Sequence, residues 1–431
     1  MKKILTILFS FFSLCSLYSQ SGWVQQYFGP NRGINSIFFI DENTGWAAYY
    51  GTNGFSSFGH IARTSNGGGN WNSVLGLNAE IKDIKFANSQ TGWVLANGYV
   101  DTGIIFRSIY KSTNSGLNYT LQYVDSLNPY FISLSVIDHN NVVCLKNNGT
   151  IIKTSNGGST WSSTELNNVS LDMQFIGQTG WILGGFNRIY KSTNSGANWT
   201  HVAQYIGSFP SNFQFINLNT GYIADENLYK STNGGINWSL ISPVGITAKD
   251  VFFANELTGW VSGAYGIIRY TSNGGLNWFT QNMPNNYSSI TFNSIQFINS
   301  NTGWCSGFGT LVYPDLLGAI VKTTNGGVTS LNPISSQTPQ HFSLSQNYPN
   351  PFNPVTKIKF DLPASVETTR RVVSLIIHDI LGREVAVLVN EQLRPGSYEV
   401  DWDALAFPSG VYFYTITSGS FKETRKMVLL K

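Results

Sequence analysis

Short segments in which apolar and polar positions alternate recur along most of this chain, with turn residues between them. "DIKFA" from Asp83 alternates and turns at "NSQTG"; "WVLANG", "IYKST" and, after a turn at Asn114, "NYTLQY" follow. A period of two sends successive side chains to opposite faces, which predicts four short strands in this unit. The turn after the third strand recurs seven times: "TSNGGGNW" from Thr64, "STNSGLNY" from Ser112, "TSNGGSTW" from Thr154, "STNSGANW" from Ser192, "STNGGINW" from Ser231, "TSNGGLNW" from Thr271 and "TTNGGVTS" from Thr323. The Asn-to-Asn spacings are 48, 42, 38, 39, 40 and 52 residues. Periods near 40 with short strands predict an all-β chain of propeller blades or another β array. Asn at these turns tolerates left-handed backbone and bonds nearby amides. The Gly two residues on accepts positive φ, and the Trp five residues on is large enough to wedge between sheets.

The last copy has Ser330 where the others have Trp or Tyr, and the chain near its start reads "SGWVQQYF", which resembles the missing half-repeat. Trp23 is therefore expected to complete the seventh blade and close the ring; the alternative is a frayed last repeat. Closure would remove two open sheet edges. A second phrase, "NTGWAA", "QTGWVL", "QTGWIL", "NTGYIA", "LTGWVS" and "NTGWCS", lies upstream of six boxes; the third unit has the degenerate "VIDHNNVVCL".

Taken together, the "[ST]-x-N-x-G-x-x-W" and "F-x-x-x-x-T-G-W" phrases resemble two groups of propellers. The first resembles the Asp-box of sialidases and sortilin-like propellers, with Asn for Asp. The pair resembles the photosystem II stability/assembly factor family, which implies seven blades over about 20–331. In those families the box is a structural turn, so Asn66 and its equivalents are not expected to form a site. From 346 to 431 the matches "NYPNPFNP", "LGREV", "PG-Y-V-WD" and "PSGVYFY" resemble the type A C-terminal sorting domain of the type IX secretion system of Bacteroidota. That resemblance implies a small Ig-like β-sandwich, contact with the secretion machinery, and export to the outer surface or beyond. Residues 332–345, with "SSQTPQ", read as a linker.

The N-terminus, "MKKILTILFSFFSLCSLYSQ", has two lysines and about a dozen apolar residues, which predicts a signal peptide over 1–19. The run is short for a membrane span. A lipid anchor on Cys15 would want a small residue before it, and Leu14 stands there. Cys144 and Cys305 fall in non-adjacent units and are expected as free buried thiols.

Composition narrows the function. Charged residues are only 11% of 431. The segment 20–333 carries 14 acids and 14 bases, a balance that argues against a nucleic-acid partner. No nucleotide, zinc or nucleophile-elbow motif is present in the sequence, so no cofactor and no metal are expected. Seven equivalent inner-strand positions hold Ser36, Asp83, Ser133, Asp172, Asn212, Asp250 and Ser294. Asp83, Asp172 and Asp250 would ring one channel mouth, either as a glycosidase acid pair or as turn-holding groups. Six boxes carry Lys or Arg three residues before the Asn: Arg63, Lys111, Lys153, Lys191, Lys230 and Lys322. They make either a basic ligand ring or stems packed on the box Trp with their heads in water.

Between the upstream Gly and the box Asn, complete units span 21, 22, 14, 12, 14 and 22 residues. The long connections belong to blades one, two and seven, contiguous in a closed ring. With the link before blade seven they bring Tyr50, Phe55, Phe58, Tyr99, Phe106, Tyr287, Phe308 and Tyr313 to one sector. Clustered aromatics suit a sugar or protein contact; alternatively they bury each other as a lid. The expected function is a non-catalytic binding propeller, secreted or held at the cell surface, for a glycan or protein partner. A propeller hydrolase and an envelope assembly scaffold are the alternatives.

Overall fold

The computed structural model describes residues 22–431 apart from 31, 53–56, 100–104, 127–128, 167–169, 206, 208–209, 211, 282, 284–286, 313–314, 328–331, 336–337, 365–370, 394 and 405–406. Seven four-stranded antiparallel sheets form the blades. Blade one comprises Gly33–Phe39, Gly45–Thr52, Ser57–Thr64 and Asn72–Leu77. Blade two comprises Ala79–Phe86, Gly92–Tyr99, Ile105–Ser112 and Thr120–Asp125, the four strands expected from the alternation. In blade seven, Thr291–Phe297, Gly303–Val312 and Asp315–Gly327 are followed, at the sheet's outer edge, by Gly22–Pro30.

That last pairing closes the ring as expected. Trp23 is 1% exposed, and its indole N–H donates to Gln281 Oε1 at 2.6 Å. It meets Phe297 edge-on at 5.9 Å, as Trp71 meets Phe39 at 5.9 Å and Trp199 meets Phe175 at 5.6 Å. Register agrees too. The residue after the Trp pairs with the basic residue before the box in Val24↔Lys322, as in Asn72↔Arg63 and Thr200↔Lys191. Ser330 lies outside the described residues.

The upstream phrase has a packing explanation. Phe39 pairs with Gly45 across the first hairpin, and its ring lies where a Gly45 Cβ would be. The other face of Phe39 stacks on Trp304 of blade seven at 3.6 Å and 5°. The same sandwich joins blades one and two through Trp46 and Phe86, and blades six and seven through Trp260 and Phe297. The seam between blades seven and one is therefore built like the internal ones. Gln296 completes it, accepting from Phe39 N and donating to Phe39 O, as Gln174 does for Phe215. Blade three has Val136 and Val143 at the Phe and Trp positions and lacks this stack.

In the box turns, Thr64 Oγ1 accepts from Gly68 N and Asn66 Oδ1 accepts from Asn70 N. Positive φ begins one residue earlier than expected, at Gly67 (69°) as well as Gly68 (101°). Ser115 and Ser195 adopt it without glycine's freedom, at 61° and 55°. Cys144 and Cys305 are free and buried, as expected.

The C-terminal sandwich has two four-stranded sheets around Ile358, Phe360, Leu375, Ile377, Trp402 and Tyr414. Its opening motif is pinned by side chains. Asn347 Nδ2 donates to Pro349 O and Thr356 Oγ1, and its N–H donates to Tyr414 Oη. One boundary differs from expectation. Residues Asn332–Ser335, read as linker, add an edge strand to a sandwich sheet through Asn332↔Glu399.

Candidate functional site

The central channel encloses about 610 Å³ and is lined by all seven inner-strand positions singled out in the sequence. Six of them directly follow a bulge, such as the register shift between Ile81 and Asp83. The bulge turns the side chain out of the sheet and toward the axis.

The carboxylates there tie blades together. Asp83 accepts from Ser36 Oγ of blade one at 3.1 Å and from Leu134 N of blade three at 3.1 Å. Asp250 accepts from Asn212 Nδ2 of blade five at 2.7 Å and from Ile295 N of blade seven at 2.8 Å. Asp172 accepts from Ser133 Oγ of blade three at 2.8 Å. Each aspartate thus serves the small polar residue of the neighbouring blade, which explains the exchange among Ser, Asp and Asn at this ring. Among the described residues no group of His, Cys, Asp and Glu could hold a metal ion.

Burial pushes the Asp172 carboxyl up to about 6 and the Asp250 carboxyl up to about 7, with the charges of Asp83 and Asp172 respectively adding to it. A carboxyl raised on folding stabilises fully below its unfolded value, near pH 4, and loses that contribution as pH rises through the folded value. Stability is therefore expected to fall between about pH 4 and 7. A tenfold change in proton affinity is about 1.4 kcal/mol, so the fall should reach a few kcal/mol. Asp250→Ser, which installs the residue of blades one, three and seven, should flatten the profile. Denaturant midpoints across this range check it; an unchanged slope in the variant would contradict the assignment.

The basic residues do not form a ligand ring. Their charged ends lie over the aromatic residue of the upstream phrase rather than the box Trp: Lys322 Nζ over Trp304 at 5.0 Å, Lys111 Nζ over Trp93 at 5.1 Å, Lys191 Nζ over Trp181 at 5.3 Å. Two of the heads also leave the water. Lys111 Nζ donates to Gly157 O and Lys191 Nζ to Gly234 O, each in the next blade's box.

The long connections of blades one, two and seven are extended hairpins rather than loops. Their second and third strands pair out to Thr52↔Ser57, Tyr99↔Ile105 and Val312↔Asp315. The missed signal was the alternation that continues through "YYGT" and "SFGH". Gly59 faces Ala79 O, Gly309 faces Ser289 O and Gly318 faces Arg32 O, with no room for a Cβ. The hairpins of blades one and seven therefore seat backbone to backbone on their neighbours.

Tyr50 and Phe308 meet edge-on at 5.2 Å across the seam between blades seven and one. Phe58 meets His60 at 5.6 Å, and Phe106 covers Gly98. These four are partly buried. Tyr287 corrects the expected exposed set: it is buried, packs on Phe292 and donates to Gln25 Oε1. The cause is the backbone of Gly266, which leaves room for it. Phe55, Tyr313 and the side chain of Tyr99 lie outside the described residues.

Fold and tail together define an exported, all-β propeller protein. Residues 346–430 match the secretion system C-terminal sorting domain, so the chain is sent through type IX secretion to the cell surface or beyond. Its N-terminal body shares the fold of two solved structures. The structure "YCF48 bound to D1 peptide" has a TM-score of 0.54 at 17% identity, covering 72% of this chain and 97% of that one. YCF48 from Cyanidioschyzon merolae has a TM-score of 0.54 at 16% identity, covering 70% and 98%. No curated protein matches the sequence. Among the described residues no helix is long and apolar enough to cross a membrane.

Proposed function

We propose that the propeller is a non-catalytic binding module, exported to the cell surface or medium, which engages a glycan or a protein through the hairpins of blades seven, one and two. The observation that carries this is their adjacency. Among the described residues, the three long hairpins fall on consecutive blades of the closed ring, and glycine contacts seat those of blades one and seven on their neighbours. Rigid elements carrying aromatics on one side of a scaffold suit recognition. Engagement of Asp83 and Asp250 by neighbouring blades favours binding over hydrolysis. A propeller of the same fold holds a D1 peptide, which makes a protein partner as natural as a glycan.

The test is a glycan array and a pull-down of envelope proteins with the full exported chain. The combined Phe58, Phe106 and Phe308 to Ala variant is expected to bind the captured partner at least about tenfold more weakly, since clustered aromatic anchors dominate such interfaces. Unchanged affinity in a variant that melts like the parent would place the site elsewhere.

A further inference from the structure

A second cavity, of about 420 Å³, lies on the flank of the ring between the closing strand of blade seven and blade one. Comparing the protein's own repeats explains its existence. At each seam, one cross-strand pair from the two middle strands of a blade fills the gap toward the preceding blade. The pairs are Val94/Tyr110, Cys144/Ile152, Ile182/Tyr190, Ile223/Tyr229, Val261/Arg269 and Cys305/Val321 in blades two to seven. In blade one the pair is Ala47/Ala62. Two truncations thus coincide at one seam, where packing alone would favour larger side chains.

The walls of this space are aromatic and its rim is polar. Tyr27 of the closing strand, Tyr49 and Trp71 line it, with Gln26, Asn70 and Ser73 also on its surface. Arg32 completes the lining, its guanidinium 4.9 Å from the centroid of the Tyr49 ring. Arg32 is exposed and makes no ion pair with a carboxylate among the described residues. The pocket combines flat apolar walls, neutral hydrogen-bonding groups and one cation, within the size range of small-ligand sites. Aromatic faces take the apolar face of a sugar ring, amide and hydroxyl groups suit its hydroxyls, and a guanidinium pairs bidentately with a carboxylate.

We propose that this seam pocket binds one acidic pyranose, a uronate residue of an extracellular polysaccharide, with the ring against Tyr27 and Trp71 and the carboxylate on Arg32. This site shares Tyr49 with the blade-one hairpin but none of Phe58, Phe106 and Phe308, so either can fail without the other. It exists only in the closed ring, because the N-terminal strand supplies Gln26 and Tyr27.

The test uses the full exported chain, with oligogalacturonate, oligoglucuronate, their neutral galactose and glucose counterparts, and a short peptide ending in Phe as probes, read by calorimetry. Ala62→Tyr restores the residue that blades two, four and five carry at this position, so it should fold while filling the pocket. At least one uronate oligomer is expected to bind, at least about tenfold tighter than its neutral counterpart. Ala62→Tyr should weaken it at least about tenfold, and Arg32→Gln should erase the preference for acid over neutral sugar. Uronate binding that survives Ala62→Tyr unchanged overturns the proposal. So does failure of both uronates to bind, or binding of the peptide carboxylate alone. Because Arg32 is exposed, Arg32→Gln keeps the proposal falsifiable if Ala62→Tyr fails to fold; an intact acid preference in it is contradictory.

Discussion

A chain beginning after Pro30 is expected to lose the cooperative melt of the parent and to unfold several kcal/mol more easily. Gly22–Pro30 supplies the entire outer strand of blade seven, paired with Asp315–Gly327 from Gly22↔Gly327 to Pro30↔Leu317. Without it that edge is open, and Phe297 loses its edge-on indole. Gln281, which links Trp23 to Gly326 O, loses its donor. Trp23→Ala alone should cost about 3–5 kcal/mol, as for large buried aromatics elsewhere. Thermal and urea melts check both variants. A truncated chain that melts like the parent would show that the ring does not depend on this strand.

Asp125→Ala is expected to cost about 3–5 kcal/mol, the usual penalty for removing one partner of a buried ion pair. Lys146, in blade three, is 2% exposed and bonds Asp125 at the edge of blade two. Its Nζ also lies 5.3 Å from the centre of the Phe131 ring. Tyr123 donates to the same carboxylate, and Arg107, also buried, is Asp125's register partner across the sheet. Lys146→Met should recover part of the loss when combined with Asp125→Leu, because a buried charge without its partner costs more than an apolar pair. The double-mutant cycle, read from urea midpoints, decides this. Costs that simply add would mean the pair contributes no coupling.

Much of this architecture was legible because its contacts are periodic. Seven boxes gave seven blades, and the mismatch between Ser330 and Trp23 gave the closing strand. The sorting tail was legible because "NYPNPFNP", "LGREV" and "PSGVYFY" resemble those of a known sorting domain, and the Asn347 of the first bonds Thr356 and Tyr414. What stayed hidden depends on contacts between units. Spacing shows that blades one, two and seven are longer, but not that the extra residues pair as strands rather than wander as loops. Tyr287 looked exposed because the sequence cannot show that Gly266 leaves space for it. The lysine heads looked solvated because their acceptors are carbonyls of the next blade. The seam pocket escaped for the opposite reason. Ala47 and Ala62 are fifteen residues apart and unremarkable alone; only their register as a cross-strand pair gives them meaning.

Everything functional here turns on where a partner sits. Hydrogen–deuterium exchange of the full exported chain, with and without its captured partner, tests this directly. Protection is predicted to concentrate in the hairpins around 48–60, 97–107 and 307–317. Protection centred instead on the channel segments around Asp83, Asp172 and Asp250, with the three hairpins unchanged, would contradict it.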